Sequence, residues 1–412
     1  MHNNQKIPAG WSVKKLEECF SFLRTPSYSR AETTDSGDVH YIHYGDIHTK
    51  YPLHVFPTDI DIYVSNEQAQ KGDFLKTGDL ILLDASEDYE GTTKCIELVD
   101  VANDDKIIAG LHTLALRDNA NYFTNGFRAY ITSMPFVKTN FWKQVSGFKV
   151  YGVSKDNLKK LKLLLPPLEE QEKIAGILET WDEAIEKLSS LIEQKKRLKK
   201  GLMQKLLTGK TRLPGFSQPW KEVKLGEICK LEATTSKSAF IDENGKYYII
   251  DMGAVSTEGT LISSKRTNTC EDLLKINDIV MPKDDIGGGN IIGKTAIIKQ
   301  ENTYILSDHV FKLNIHDSDS NFISYLINSY GYNKYMRRMS CGSAILGLSK
   351  KDVEKCLLNI PSNISEQHAI AEVLSTADDE INLLNQKLEA TKEQKKGLMQ
   401  QLLTGQIRVK VN

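Results

Sequence analysis

The chain has 412 residues, of which 40% are hydrophobic and 26% charged, a composition typical of a globular protein with about two to three domains. Its 53 Lys and Arg residues against 54 Asp and Glu give a formal net charge of -1, which excludes a uniformly basic coat for nucleic acid but not a local basic face. Six scattered cysteines without a C-x-x-C pair exclude the common zinc-ribbon spacings and disfavour a disulfide framework. We therefore expect no bound metal and a reducing, cytoplasmic location.

Two stretches, residues 1–165 and 213–360, predict globular domains. Each carries short β-rich runs, such as residues 80–83 in the first and 247–250 in the second, separated by Gly, Asp, Asn and Ser clusters. Neither shows the strand–helix alternation of a doubly wound sheet, so the predicted class is α+β with mostly antiparallel sheets.

Each predicted domain is followed by a predicted long helix, over residues 166–212 and 361–412. Proline marks each start, at Pro166-Pro167 and Pro361, and Gly209 and Gly405 follow the last apolar residues. Apolar residues recur at alternating spacings of four and three, the a/d pattern of a coiled coil. This predicted helix interface comprises Ile174, Leu178, Trp181, Ile185, Leu188, Ile192, Leu202 and Leu206, and then Ile370, Leu374, Ile381, Leu384, Leu388, Leu398 and Leu402, with Ala377 on the same seam. Polar residues interrupt both seams at the same level, at Lys195 and Lys199 and at Thr391 and Lys395.

The two helical segments are copies of one another. Residues 170–212 align with residues 366–408 without a gap, at an offset of 196, and 22 of the 43 positions are identical. Weaker similarity extends into the preceding domains, so the chain is predicted to consist of two diverged halves. Two helices of equal length in one chain most simply pair antiparallel, with a domain at each end and a pseudo-two-fold axis between the halves.

One enzymatic motif is present, because Gly288 to Thr295 fits the G-x-x-x-x-G-K-[ST] pattern of a nucleotide-binding loop. The residues that follow predict a strand, whereas that motif should open a helix. A glycine-rich turn is therefore the favoured interpretation, and a nucleotide-binding ATPase remains an alternative. A coiled-coil scaffold without a DNA role is a second alternative, although a scaffold has no need of two large, diverged domains.

The two-copy layout and two motifs resemble the specificity subunit of Type I restriction–modification systems. These motifs are E-Q-x-x-I-x-x-x-L, at Glu170 and Glu366, and G-L-M-Q-x-L-L-T-G, ending at Gly209 and Gly405. The resemblance implies two α/β target recognition domains, each reading one half of a bipartite, asymmetric double-stranded DNA target. It also implies a non-catalytic chain that docks two modification subunits, which methylate adenine, and restriction subunits. S-adenosylmethionine, ATP and Mg²⁺ would then be bound by those partners and not by this chain, which is expected to have no membrane role.

Candidate DNA-reading residues are basic, aromatic or polar side chains in loop-like stretches, suited to base edges and phosphates. In the first domain they are Arg24, Tyr28, Arg30, Tyr44, Lys50, Ser86, Tyr89, Lys94, His112, Lys149 and Tyr151, and in the second Lys237, Lys265, Arg266, Lys283, Asn290, Lys294, His309, Arg337, Arg338 and Ser343. Neither domain is basic overall, with net charges of -2 for residues 1–165 and 0 for residues 214–360. We therefore expect the chain alone to bind DNA weakly.

Overall fold

The computed structural model describes residues 7–119, 121–147, 149–343 and 345–411. The chain divides into two units, of which unit 1 comprises Met1–Ser189 with Lys387–Asn412 and unit 2 comprises Ser190–Gln386. Each unit contains one globular body and segments of both long helices.

Among the described residues of unit 1, short strands and short α-helices precede the first long helix. The strands are β1 (Ser12–Lys15), β2 (Phe20–Phe22), β3 (Val39–Ile42), β4 (His54–Val55), β5 (Tyr63–Val64), β6 (Leu80–Leu83), β7 (Ala85–Ser86), β8 (Cys95–Leu98), β9 (Ile107–Ala109), β10 (Thr113–Asp118), β11 (Tyr151–Gly152) and β12 (Lys162–Leu165). The helices are α1 (Leu16–Cys19), α2 (Tyr44–Thr49), α3 (Asn66–Ala69), α4 (Pro135–Trp142) and α5 (Lys155–Lys159). The first long helix, α6 (Leu168–Leu206), starts in unit 1.

A five-stranded sheet in the order β2-β10-β6-β8-β4 forms the centre of unit 1, and a three-stranded sheet in the order β5-β3-β9 lies in the same unit. All pairings in these sheets are antiparallel except β4–β8 and β3–β9. Successive side chains of a strand point to opposite faces of the sheet, and both faces of strand β6 are buried. Leu80 and Leu82 therefore pack into one apolar cluster, while Ile81 and Leu83 pack into another.

Unit 2 repeats this plan with different side chains. Its strands are β13 (Trp220–Lys224), β14 (Cys229–Glu232), β15 (Tyr247–Ile250), β16 (Arg266–Thr267), β17 (Ile279–Pro282), β18 (Asp284–Asp285), β19 (Ala296–Ile297), β20 (Tyr304–Leu306), β21 (Val310–Ile315), β22 (Leu346–Gly347) and β23 (Leu357–Pro361). Its helices are α7 (Leu225–Ile228), α8 (Ser320–Asn328), α9 (Tyr330–Met339) and α10 (Lys350–Glu354), and the second long helix is α11 (Ile364–Leu402).

The sheets of unit 2 correspond to those of unit 1. The order β14-β21-β17-β19 matches β2-β10-β6-β8, and β16-β15-β20 matches β5-β3-β9, with one parallel pair in the same place. Strand β17 again divides its side chains between two clusters, with Ile279 and Met281 in one and Val280 in the other. The predicted α+β class with mostly antiparallel sheets is confirmed.

The long helices end where glycine permits a left-handed residue. Gly209 has φ +68° and Gly405 has φ +69°. The amide of Thr211 donates to the Lys205 carbonyl at 3.3 Å, and that of Ile407 donates to the Gln401 carbonyl at 3.2 Å. This six-to-one hydrogen bond satisfies a carbonyl that the helix leaves without a partner.

Within each unit, the segments of α6 and α11 run antiparallel. In unit 1, Glu170 pairs with Arg408 and Asp182 pairs with Lys395, so one number rises as the other falls. In unit 2, Arg212 pairs with Glu366 and Lys199 pairs with Asp378. Nine predicted interface residues are buried: Ile174, Leu178, Ile192, Leu206, Ile370, Leu374, Ile381, Leu388 and Leu402. The other six, Trp181, Ile185, Leu188, Leu202, Leu384 and Leu398, are half-buried.

In each unit, a buried glutamate at the start of one long helix binds the chain segment that follows the end of the other long helix. In unit 1, Glu170 accepts hydrogen bonds from the Trp11 indole and the Arg408 guanidinium, both at 2.9 Å. In unit 2, Glu366 accepts from Trp220 at 3.4 Å and from Arg212 at 2.6 Å. Because the helix segments run antiparallel, each glutamate at the start of one repeat pairs with the arginine at the end of the other repeat.

The neighbouring glutamines each join the chain just before a long helix to the backbone of the globular body. The amide of Gln171 donates to the Pro166 carbonyl at 2.9 Å, and its oxygen accepts from the Thr124 amide at 3.1 Å. Gln367 does the same with the Pro361 carbonyl at 2.9 Å and the Asp319 amide at 3.0 Å. The E-Q motif therefore ties each globular body to its helix.

Lysines at the interrupted positions of the apolar seams join three elements in each unit. In unit 1, Asp182 on α6 accepts from the Tyr130 hydroxyl at 2.8 Å and pairs with Lys395 on α11. The Lys395 ammonium also lies 5.6 Å above the Tyr130 ring, where a cation–π attraction operates. Burial and the Asp182 charge raise the pKa of Tyr130, so its phenol keeps the proton it donates.

Unit 2 repeats this junction with Tyr325, Asp378 and Lys199. The Tyr325 hydroxyl donates to Asp378 at 2.7 Å, the Lys199 ammonium lies 2.5 Å from Asp378, and it lies 5.4 Å above the ring. We call each set a Tyr–Asp–Lys junction. Two of the four polar seam positions, Lys199 and Lys395, are thus explained by junctions that reach the globular body.

We predict that Lys395→Ala lowers the free energy of unfolding of unit 1 by about 1–3 kcal/mol, because Asp182 loses its cation in a setting partly shielded from water. The matched control is Lys396→Ala, since Lys396 is exposed and pairs only with its helix neighbour Glu393, and it should change stability by less than about 0.5 kcal/mol. Urea denaturation of both variants measures the difference. Equal stabilities would contradict a structural role for the junction.

Candidate nucleic-acid interface

Two clusters of loops, one in each unit, bring together charged, aromatic and glycine residues. We call them loop cluster 1, comprising residues 84–94, 110–112, 145–147 and 149–152, and loop cluster 2, comprising residues 283–295, 307–309, 340–343 and 345–347. In both, a short strand pair, β7–β11 or β18–β22, holds the ends of two loops together. The backbone contacts correspond, since the Asp84 amide donates to the His112 carbonyl and the Lys283 amide donates to the His309 carbonyl.

A histidine–aspartate contact lies in each loop cluster. The His112 Nδ1 atom is 3.1 Å from Asp84 Oδ1, and the His309 Nδ1 atom is 2.8 Å from Asp284 Oδ2. Burial opposes ionisation of Asp284, but hydrogen bonds from Lys283 and His309 outweigh it and lower the pKa of that carboxyl. An ionised Asp284 holds the imidazole in one orientation, and the His309 Nε2 atom lies 3.4 Å from Asp308 Oδ2, so a carboxylate faces each ring nitrogen of this half-exposed histidine.

The first loop of loop cluster 2 is organised by the buried carboxylate of Asp285. Its two oxygens accept from the Gly287 amide at 2.6 Å and from the Ile291 amide at 3.0 Å. The Asn290 side chain closes the loop by donating to the Gly287 carbonyl at 2.8 Å. Gly288 and Gly289 adopt φ +78° and +80°, which side chains disfavour, so the loop presents bare backbone at its tip.

Two cations lie beside this glycine loop. The Arg337 Nε atom is 3.8 Å from the point where a Cβ on Gly289 would lie, and Arg337 makes no ion pair among the residues that the structure describes. Burial lowers the pKa of Lys294, Glu258 opposes that shift, and the Arg337 charge adds to it. A guanidinium that makes no ion pair among the described residues, next to the buried Gly289 and one residue from the exposed Gly288, is suited to a phosphate or to a guanine edge.

Loop cluster 1 has a different chemistry. Its aromatic rings touch one another, with Tyr44 at 5.3 Å from His112 and Tyr89 at 5.4 Å from Tyr151, measured between ring centroids. Its first loop carries the exposed carboxylates of Glu87, Asp88 and Glu90, which the sequence analysis did not name as readers. Carboxylates accept from amino groups such as cytosine N4, whereas phosphates repel them. Loop clusters 1 and 2 are therefore suited to contact different bases.

The structure brings 13 of the 21 predicted reading residues into or against these clusters. Loop cluster 1 contains or contacts Tyr44, Ser86, Tyr89, Lys94, His112, Lys149 and Tyr151, and loop cluster 2 contains or contacts Lys283, Asn290, Lys294, His309, Arg337 and Ser343. Arg338 follows Arg337 in the last turn of α9.

The other predicted readers are held by contacts within their own unit. Ion pairs join Arg24 to Asp73, Arg30 to Asp46, Lys50 to Asp61 and Lys265 to Asp251, while Tyr28 donates to a backbone carbonyl and Arg266 lies 4.5 Å above the Tyr248 ring. Lys237 is only 2% exposed and pairs with Asp272 at 2.8 Å. These pairings reduce the positive charge that each unit offers to a polyanion.

A cleft of about 510 Å³ in unit 2 adjoins loop cluster 2. Its lining includes Ile249, Lys265, Ser307 and His309, and polar and charged side chains outnumber the apolar ones. At the corresponding position of unit 1, the Tyr44 ring stands against His112. The surface beside His309 in unit 2 thus differs in shape from the surface beside His112, which lies at the corresponding position of unit 1.

The motif from Gly288 to Thr295 does not have the geometry of a phosphate cradle. The amides of Gly293 and Lys294 donate to the Pro282 and Ile291 carbonyls, both at 3.0 Å. The Thr295 hydroxyl, which would hold Mg²⁺ in a nucleotide site, is buried and lies 2.9 Å from the Ser324 hydroxyl. Strand β19 follows directly, where a nucleotide-binding loop would open a helix. The favoured turn interpretation fits this geometry and the ATPase alternative does not.

The described residues contain no group of three or more His, Cys, Asp or Glu side chains placed to hold a metal ion. Among the same residues, no helix has both the length and the apolar character needed to cross a membrane. All six cysteines have free thiols.

Comparisons with known proteins agree with one another. A family profile described as the Type I restriction modification DNA specificity domain matches residues 8–195 and again residues 217–393. A putative type I restriction enzyme MjaX specificity subunit from Methanocaldococcus jannaschii is 26% identical, over 98% of this chain and 95% of that protein. The type I restriction enzyme MjaVIII specificity subunit of the same organism is 30% identical, over 66% of this chain and 69% of that protein.

A solved structure shows the same fold. The S subunit of a Type I restriction-modification system from M. genitalium superposes with a TM-score of 0.62 at 15% identity, covering 100% of this chain and 99% of that one. The family profile matches both halves of the chain, each across a globular domain and into the long helix that follows it. The chain therefore belongs to the family of Type I restriction–modification DNA specificity subunits.

Proposed function

We propose that this chain is the non-catalytic subunit that reads a bipartite, asymmetric DNA target through its two loop clusters, one for each half-site. The observation that carries the proposal is that one loop framework is built twice with dissimilar side chains. Loop cluster 1 offers carboxylates and aromatic rings, whereas loop cluster 2 offers glycine backbone, Arg337 and Lys294. Dissimilar side chains on one framework suit two dissimilar half-sites and disfavour a palindrome.

The proposal assigns catalysis to partners. Two modification subunits carrying S-adenosylmethionine would methylate adenine, and restriction subunits using ATP and Mg²⁺ would join the complex. The long helices would dock them, because α6 and α11 keep exposed apolar residues outside their paired seams. In unit 2 these include Leu198 on α6 and Leu383 on α11. Exposed leucines on a helix face are suited to burial against another protein.

Charge also favours an assembled complex as the DNA-binding species. Arg24, Arg30, Lys50 and Lys265 are neutralised by carboxylates within their own unit. Phosphate contacts supply most of the sequence-independent affinity for DNA. Partner subunits would therefore provide much of that affinity, while the loop clusters provide selectivity.

The test is to copurify the chain with its modification subunit and select bound duplexes from a random library. We expect a split motif with two different half-sites separated by an unspecified spacer. A continuous motif, a palindrome, or no enrichment by a complex that does assemble would contradict the proposal.

We predict that Arg337→Ala weakens binding to the selected target by about 1–3 kcal/mol and relaxes selectivity at one position of one half-site, if the guanidinium contacts a base. If it contacts a phosphate, all sequences should weaken equally and the salt dependence should fall by about one ion. Lys283→Ala should weaken the same half-site. Fluorescence anisotropy at several salt concentrations distinguishes the two modes.

The matched control is Lys221→Ala, because Lys221 is an exposed cation of unit 2 on strand β13, outside loop cluster 2. It should bind like the wild type. An Arg337→Ala complex with wild-type affinity, selectivity and salt dependence would remove loop cluster 2 from the reading surface.

A further inference from the structure

A short hairpin recurs in both loop clusters. Hairpin 1 (residues 145–147 and 149–152) is closed by a bridge between Ser146 and Gly152, and hairpin 2 (residues 340–343 and 345–347) is closed by a bridge between Cys341 and Gly347. Each returns into a strand that pairs with the first loop of its cluster, through Tyr151 with Ser86 and through Leu346 with Asp285. The two hairpins therefore stand at the same place in the two units.

Both hairpins depend on one glycine. Gly147 has φ +132° and Gly342 has φ +134°, a region that side chains disfavour. A Cβ atom at either position would lie 1.9 Å from a carbonyl oxygen, that of Val150 or that of Ile345. No other residue fits without moving the chain, so the two units keep one turn geometry although their loop sequences differ.

Each hairpin exposes a β-branched aliphatic side chain just before its returning strand. Val150 is 56% exposed and Ile345 is 51% exposed. A single exposed aliphatic residue is ordinary on a protein surface. Its recurrence on the same turn of two diverged domains is not explained by packing, because these side chains lie largely outside the cores. Their χ1 angles are restricted, which makes them stiff protrusions.

The surroundings of hairpin 2 indicate what covers it. The Leu346 side chain lies 2.9 Å from a Cβ built on Gly289, and the Arg337 guanidinium lies 3.8 Å from the same point. A second exposed aliphatic residue, Ile286, is 64% exposed on the first loop. Arg337, which makes no ion pair within the part of the chain that the structure describes, lies beside these apolar protrusions, and this combination matches a polyanion with an apolar interior, which is a nucleic-acid duplex. In hairpin 1, the exposed cation Lys149 directly precedes Val150.

We infer that Val150 and Ile345 are apolar wedges that press against the base stack of their half-sites. This inference rests on the proposed function and deepens it. Side chains that differ between the clusters serve the reading of different bases, whereas a feature common to both serves a task common to both half-sites. That task is local unstacking of a base step, which apolar side chains of minor-groove proteins perform without base-specific hydrogen bonds.

The wedge predicts a distinctive result for Ile345→Ala in the assembled complex. Affinity for the selected target should fall about ten- to hundredfold, which corresponds to exposing one buried aliphatic side chain. The selected motif and the salt dependence should stay unchanged, because no base edge or phosphate loses a hydrogen bond. Ile345→Met should restore most of the affinity, since it keeps an apolar side chain of similar volume.

Unstacking itself is measured with 2-aminopurine at adenine positions and with permanganate at thymine positions. In the wild-type complex, we expect a signal in each half-site. Ile345→Ala should remove the signal from one half-site only, and Val150→Ala should remove it from the other. Leu357→Ala is the matched control, because Leu357 is 55% exposed in unit 2 on strand β23, and it should leave affinity and both signals unchanged.

Three outcomes would overturn the inference. Wild-type affinity and signals in both alanine variants would show that the tips do not touch DNA. A motif that relaxes at one thymine in Ile345→Ala would assign the side chain to a thymine methyl group and not to a wedge. A wild-type complex that assembles but selects no DNA would contradict both the proposed function and the wedge. This outcome is distinguished from failure of the wedge alone because it is seen in the wild-type complex, before any variant is tested.

Discussion

The buried charges at the ends and middle of the long helices are the constraint on which the rest of the structure depends. Lys395 is only 8% exposed, and a buried ammonium is costly unless a carboxylate accompanies it. Asp182 supplies that carboxylate and also binds Tyr130 of the globular body. A shift of one helix segment by one residue would separate the charges. The Tyr–Asp–Lys junction therefore fixes the register of the helix segments and the attachment of the globular body at one point, and unit 2 repeats it with Lys199, Asp378 and Tyr325. Polar residues in a coiled-coil seam commonly specify register in this way.

This attachment matters for the function we propose. A loop cluster can discriminate between bases only if its side chains are held in place by a rigid support. In each unit, the support runs from the Tyr–Asp–Lys junction and the buried glutamate into a central sheet whose middle strand, β6 or β17, is buried on both faces. Loop clusters 1 and 2 begin directly after those strands, at Asp84 and Lys283. Diversity is thus confined to loops, while the framework beneath them is common.

The sequence was sufficient to predict the helices, the repeat and the α+β class, because each has a short-range signature. Apolar residues spaced by four and three, proline before each helix and glycine after it are all local patterns. The polar residues within the seams were visible too, but their partners were not. Lys395 binds a carboxylate 213 positions away in the chain, and no local pattern records such a contact. The roles of Glu170 and Gln171 were hidden for the same reason.

The reading surface was only partly predictable. Residue type and loop context could not separate Arg337, which makes no ion pair among the described residues, from Arg24 and Arg30, which carboxylates neutralise. The hairpins had a possible signal, since Gly147 and Gly342 lie 195 positions apart, one residue from the offset of the helical repeat. Their importance became visible only with the backbone angles. The near-zero net charge of each domain was also informative, because it indicated that carboxylates would neutralise many of the cations.

The most direct test of the account is a base-resolution map of adenine methylation in cells that express the chain with its modification subunit, compared with cells lacking the chain. The account predicts a split motif with dissimilar halves that is methylated in the first cells and unmethylated in the second. An identical methylation map in both, from cells in which the two proteins copurify, would contradict it.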